Sequence, residues 1–119
     1  MKDKRLGNRR TASEQEFLAS YDASMYPHPS VSADVALVTV DDGKLKALLI
    51  QRHQHPEQGK WCLPGTFVEI EESLGDAAER ALSSKTGVSG IFLEQLFTFG
   101  EPGRDPRTRV ITVAHFALV

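Results

Sequence analysis

The stretch PGTFVEIEESLGDAAERALSSKTGV, residues 64–88, carries the reading of the fold. Its second half predicts a helix over residues 73–85. Ser73 is a residue type that caps helix N-termini, and Asp76 adds a carboxylate in the first turn, where the helix dipole favours negative charge. Leu74, Ala77, Ala78, Ala81 and Leu82 fall at the i, i+3, i+4, i+7, i+8 spacing of a single buried face. Gly87 suits the left-handed residue that ends a helix. The first half is different in kind. Phe67 and Val68 form a short apolar segment after Gly65, and Glu69, Glu71 and Glu72 crowd the approach to the helix.

Outward from this stretch, apolar and β-branched residues dominate 31–40 and predict a strand. Asp42-Gly43 suits a two-residue hairpin turn, so residues 45–52 read as the return strand. A polar loop, HQHPEQGKW over 53–61, leads back to the opening stretch. Downstream, residues 91–99 and 110–119 read as two more strands, separated by the turn-rich GEPGRDPRT loop at 100–108. Upstream, Ser13 with Glu16 fits a capping box, and Phe17, Leu18 and Tyr21 share one helix face. Pro27 and Pro29 then impose an extended connector. Residues 1–12 read as a basic, disordered lead-in and 13–119 as one domain. Helix, two strands, loop, helix and two strands predict an α/β (α+β) architecture, a mixed sheet flanked by helices.

The 119 residues suit one domain with a modest core. A net charge of -2 gives no electrostatic case for nucleic acid or a membrane surface. The single cysteine, Cys62, excludes an intrachain disulfide and a cysteine-only zinc site, and reads as a small buried residue beside Trp61. No apolar run is long enough to span a bilayer and no signal peptide stands at the N-terminus, so a cytoplasmic location is the default expectation.

The 64–88 stretch resembles the Nudix box, a loop–helix–loop that binds divalent metal and hydrolyses linked nucleoside diphosphates. The box pattern runs Gly, five residues, Glu, seven residues, then Arg-Glu-aliphatic-x-Glu-Glu-x-Gly-aliphatic. Aligned by the helix, Arg80, Leu82, Gly87 and Val88 match, and Glu72 takes the isolated acidic position. Thr66 takes the leading glycine position, with Gly65 one place early. A second register seats Gly65 and Glu71 but breaks the helix half. The three helix glutamates that resemblance assigns to metal and catalysis become Ala81, Ser84 and Lys85. At i, i+3 and i+4 these share one face, so the substitution removes the hard oxygen ligands magnesium needs and adds a cation. No catalytic set is intact. Glu72 and Arg80 remain, read as a pair that fixes the loop on the helix. Glu69, Glu71 and Glu72 are the weak stand-in metal ligands.

The resemblance extends further. FLASYDASMYPHPSV (17–31), QGKWCLPGTFVE (58–69) and LEQLFTFGEPGRDPRTRVITVAHFALV (93–119) look like segments of the NrtR-type Nudix-related transcriptional regulators. That family implies a Nudix fold, an ADP-ribose-like effector, a homodimer, and DNA binding through a winged helix that these residues do not include. It also implies closing elements beyond the last strand, so the Nudix fold is expected to be incomplete at its C-terminus, with open sheet edges favouring dimerisation. The expected ligand residues are Arg52, Gly65, Phe67, Arg80, Arg104, Asp105 and Arg107, with Lys85 and Arg109 as further cations for a diphosphate. Phe67, Phe97, Phe99 and Trp61 are the aromatics for a base, although Trp61 reads more simply as packing beside Leu63. His53 and His55 read as surface residues and His115 as a packed strand residue. No cofactor is expected for a sensor. The alternatives are a Mg-dependent ADP-ribose pyrophosphatase using the loop carboxylates, and a module for dimerisation alone.

Overall fold

The computed structural model describes residues 10–119. Helix α1 spans Ala12–Ser20 and is capped by the Thr11 side chain, which accepts from the Glu14 amide. The cap is thus Thr11 rather than Ser13, and Thr11 and Ala12 belong to the helix, not to the lead-in. Residues 1–9 of that lead-in lie outside the described residues. α1 buries no residue, so Phe17, Leu18 and Tyr21 do not form a packed face. Instead Phe17, Tyr21 and Tyr26 contact one another, each successive pair of rings 5.7 Å apart.

The rest is built around one strand. β1, Ser30–Asp41, turns at Asp42-Gly43, both with positive φ as that turn requires, into β2, Lys44–Ala47. The predicted return strand 45–52 does not continue as one piece. Leu48 still donates its amide to the Leu37 carbonyl, but the remaining length of that edge of β1 is taken by β5, Gly65–Phe67. One strand edge offers one set of hydrogen-bonding groups, so the return strand must leave. It resumes as β3, Ile50–Gln51, and pairs with β4, Trp61–Cys62, in a separate two-stranded sheet. Trp61 is consequently 65% exposed, which overturns its reading as a core residue. Cys62 is half-buried rather than buried.

The other edge of β1 pairs in parallel with β7, Val110–Leu118, from Ser30 opposite Val110 to Val38 opposite Leu118. β6, Glu94–Phe99, closes the order β2-β1-β7-β6 and is exposed along its whole length. It starts three residues later than predicted because Ile91 and Leu93 pack against the core from the connector.

Helix α2, Leu74–Thr86, follows its sequence signals closely. The Ser73 side chain accepts from the Asp76 amide at 3.1 Å, and Gly87 closes the helix at φ 78°. Ala77, Ala78 and Leu82 pack on Ala33, Val35 and Leu37 of β1 and Ala117 of β7. The alternation of a strand then sends Ser32 and Asp34 to the opposite face of the sheet.

Candidate functional site

A cleft of about 690 Å³ opens on that opposite face. β1 contributes Ser32 and Asp34, β7 contributes Thr112, β5 contributes Gly65 to Phe67, and the 100–109 loop contributes Arg104, Asp105 and Arg107. Arg52, just beyond β3, and Lys85 of α2 complete its charged lining. Six of the seven ligand residues expected from sequence therefore line one cleft: Arg52, Gly65, Phe67, Arg104, Asp105 and Arg107.

Arg80, the seventh, does not line it. Its guanidinium binds Glu72 through two contacts, Nε to Oε2 at 2.7 Å and Nη2 to Oε1 at 2.8 Å. It also donates to Thr66 Oγ1 and to the Phe67 carbonyl. Glu72 Oε1 in turn accepts the Glu69 amide. Arg80 thus ties the loop and β5 to the helix, and its role is positioning. The Arg80 hydrogen bonds, aided by the Glu69 amide, hold the Glu72 carboxyl down from 4.5 to about 2, while partial burial opposes them.

A carboxyl depressed in the folded state adds stability above its unfolded value, and loses it as pH falls through the folded one. Between pH 4.5 and about 2 the Glu72 contribution therefore disappears. The expected result is that Glu72→Gln melts below wild type at neutral pH, and that the gap narrows toward pH 2 in thermal melts across that window. Asp105 is held down to about 2 by Arg107, so wild type and variant share that further acid sensitivity. A constant gap across the window would contradict the clamp.

The residues at the box's metal positions face different surroundings. Ala81 is fully buried, Ser84 is exposed, and Lys85 is exposed at the cleft. Glu69 and Glu71 are also exposed, and Glu72 is committed to Arg80. Among the described residues no three His, Cys, Asp or Glu side chains come together as a metal-binding group. Magnesium requires several oxygen ligands, and a buried methyl, a hydroxyl and an ammonium do not supply them. The residues present do not fit the metal.

Cations dominate the cleft: Arg52, Lys85, Arg104 and Arg107 against Asp34 and Asp105. Arg52 Nε donates to the Pro56 carbonyl at 2.6 Å, which leaves the rest of its fork unassigned among the described residues. Arg107 spans Asp105, with Nη2 to Oδ2 at 2.7 Å, and its guanidinium lies 5.2 Å from the centre of the Phe67 ring. Arg104 Nη1 contacts the carbonyls of Phe99 and Val110 and the Thr112 hydroxyl, fastening the loop to the sheet. Arg109 and Trp61 are exposed and do not line the cleft, and Phe97 packs edge-on against Phe99. His53, read as a surface residue, is exposed at the rim, and His115 is buried with Nδ1 3.2 Å from the Val113 carbonyl.

Sequence reasoning missed Ser32, Asp34 and Thr112. The signal was present in SVSADVALV at 30–38: small polar residues alternate with Ala33, Val35 and Leu37, and an aspartate inside a strand is unusual.

The Arg80–Glu72 clamp, the loop it fixes and the helix behind it define the class as a Nudix domain. The NUDIX domain family matches residues 29–119, and the chain belongs to that family. It is 46% identical to the ADPR responsive transcriptional repressor NtrR of Acinetobacter baylyi, over 91% of this chain and 44% of that protein. It is 36% identical to an ADP-ribose pyrophosphatase of Methanocaldococcus jannaschii, over 75% of this chain and 50% of that protein. The chain spans half or less of the length of these two relatives. Its fold superimposes on the NUDIX domain of Shewanella oneidensis NrtR complexed with ADP ribose with a TM-score of 0.82 at 41% identity, covering 89% of this chain and 70% of that one.

Proposed function

We propose that this domain binds ADP-ribose or a related NAD metabolite as the effector of a transcriptional regulator, and does not hydrolyse it. The observation that carries the reading is a cation-lined cleft beside a Nudix helix whose metal positions are Ala81, Ser84 and Lys85. Without metal, a diphosphate needs cationic or N–H partners, and Arg52, Arg104, Arg107 and Lys85 supply that chemistry. The likeness to the A. baylyi repressor and to the S. oneidensis domain supports the same ligand. DNA recognition belongs to a domain outside these residues, and the regulator works as a cytoplasmic homodimer.

Calorimetry with ADP-ribose, with and without Mg²⁺, followed by analysis for AMP, tests the reading. Metal-independent binding without AMP is the expected result. Mg²⁺-dependent AMP release would favour the pyrophosphatase chemistry of the M. jannaschii relative, and thermal stability unmoved by ADP-ribose would leave dimerisation alone. Lys85 is expected to stand in for part of the lost metal charge. Lys85→Glu should then weaken ADP-ribose about tenfold, since losing a close charge pair and adding repulsion costs roughly 1–2 kcal/mol at a partly exposed site. Unchanged affinity would place Lys85 in solvent.

A further inference from the structure

Asp34 is a half-buried charged side chain of the cleft that no hydrogen bond among the described residues explains. Its neighbours on the same sheet face satisfy one another: Ser32 Oγ lies 2.8 Å from Thr112 Oγ1, which accepts from Arg104. Asp34 stands next in this row and makes no side-chain hydrogen bond to any described residue. Opposite it on β7 is Ala114, and opposite it on β5 is Gly65, neither of which offers a side-chain donor. Gly65 also makes room for it, because a Cβ there would collide with Asp34 Oδ1. Burial pushes the Asp34 carboxyl up, with only the charge of Arg104 opposing. The Asp34 oxygens thus face the cleft with no donor among the described residues, open to a ligand hydroxyl, and half-buried carboxyls shifted by burial in clefts mark functional positions.

We propose that Asp34 reads a ribose, its two carboxylate oxygens accepting the two adjacent hydroxyls of one ribose in the bound nucleotide. This rests on the ADP-ribose reading above. A carboxylate accepts and does not donate, so it opposes phosphate and pairs poorly with a base edge that alternates donor and acceptor. A vicinal diol presents two donors side by side. An acidic residue on a ribose hydroxyl, replaced by arginine where the hydroxyl is phosphorylated, is the same chemistry used in dinucleotide sites of another fold. Asp34 therefore sets the preference for an unmodified diol, while the arginines and Lys85 take the diphosphate.

The test compares wild type and Asp34→Asn by calorimetry with ADP-ribose and two probes: 2′-phospho-ADP-ribose, in which the adenosine diol is blocked, and ADP, which lacks the second ribose. The expected result is about tenfold weaker ADP-ribose binding in the variant. The wild-type preference for ADP-ribose over one of the two probes should shrink by a similar factor. Because partial burial disfavours the charged form of this carboxyl, Asp34→Asn should also melt at or above the wild-type temperature. Unchanged preference against both probes, an equal loss for all three ligands including loss below detection, or a lowered melting temperature would overturn the inference. If wild type itself does not bind ADP-ribose, the proposed function fails instead.

Discussion

Replacing Leu82 with alanine lowers the unfolding free energy by about 3 kcal/mol, in the range for truncating a buried leucine. The melting temperature falls by on the order of 10 °C in a domain of this size. Leu82 is 2% exposed and is among the largest fully buried side chains. Its partners on α2 are Ala77 and Ala78, and on β1 Ala33, Val35 and Leu37. A core so rich in alanine has little flexible bulk to collapse into the space, so the cavity term stays near its full size. Urea denaturation should show a lower midpoint at unchanged slope. A loss below about 1 kcal/mol would mean that the helix–sheet contact is not the main core. Since this contact seats α2 against the strand that lines the cleft, ADP-ribose should restore part of the stability by mass action.

Gly65→Val is expected to weaken ADP-ribose binding by at least about tenfold, and to destabilise the domain by roughly 2 kcal/mol through overpacking. By strand propensity alone valine would be favourable there. Gly65 lies opposite Asp34 in the β1–β5 ladder, and any Cβ meets Asp34 Oδ1 first, then Asp34 Cγ at 3.1 Å and the Ala33 carbonyl at 3.4 Å. Either the carboxylate swings away or β5 moves, and both reshape the cleft beside Phe67. The same substitution in an Asp34→Ala background should cost markedly less stability, because the carboxylate it strikes is gone. Neighbouring sites that share one contact couple in this way. Additive costs in the double variant would show that the collision is with the backbone alone.

Much of the fold was legible locally. Ser73, Asp76 and Gly87 bound α2 because capping and chain reversal are short-range requirements, and Asp42-Gly43 forms the hairpin for the same reason. The Arg80–Glu72 pair was also legible, since only the Ser73 cap and the first two turns of α2 separate them, and these bring the two side chains together whatever lies behind. Misreadings arose where long-range partners decide. Residues 45–52 satisfy strand propensity, yet break because β5 claims the same edge of β1. Phe17, Leu18 and Tyr21 have helical spacing, but no surface among the described residues covers them. Trp61 is apolar and still exposed, because the small β3–β4 sheet carries it away from the core.

The site divides along the same line. Chain order by itself determined that the helix carries Ala81, Ser84 and Lys85 in place of three glutamates, because helical periodicity puts those positions on one face without reference to the rest of the molecule. It also determined which cations lie on the segments around the box, Arg52, Arg104 and Arg107 among them. Only tertiary structure decided that Arg80 is also spent on Thr66 and the Phe67 carbonyl, while Arg52, Arg104 and Arg107 share a cleft with Lys85. Only tertiary structure singled out Asp34. A strand sends alternate residues to opposite faces, but which face meets α2 and which meets the 100–109 loop depends on the parallel pairing of β1 with β7, contacts some eighty residues apart in sequence.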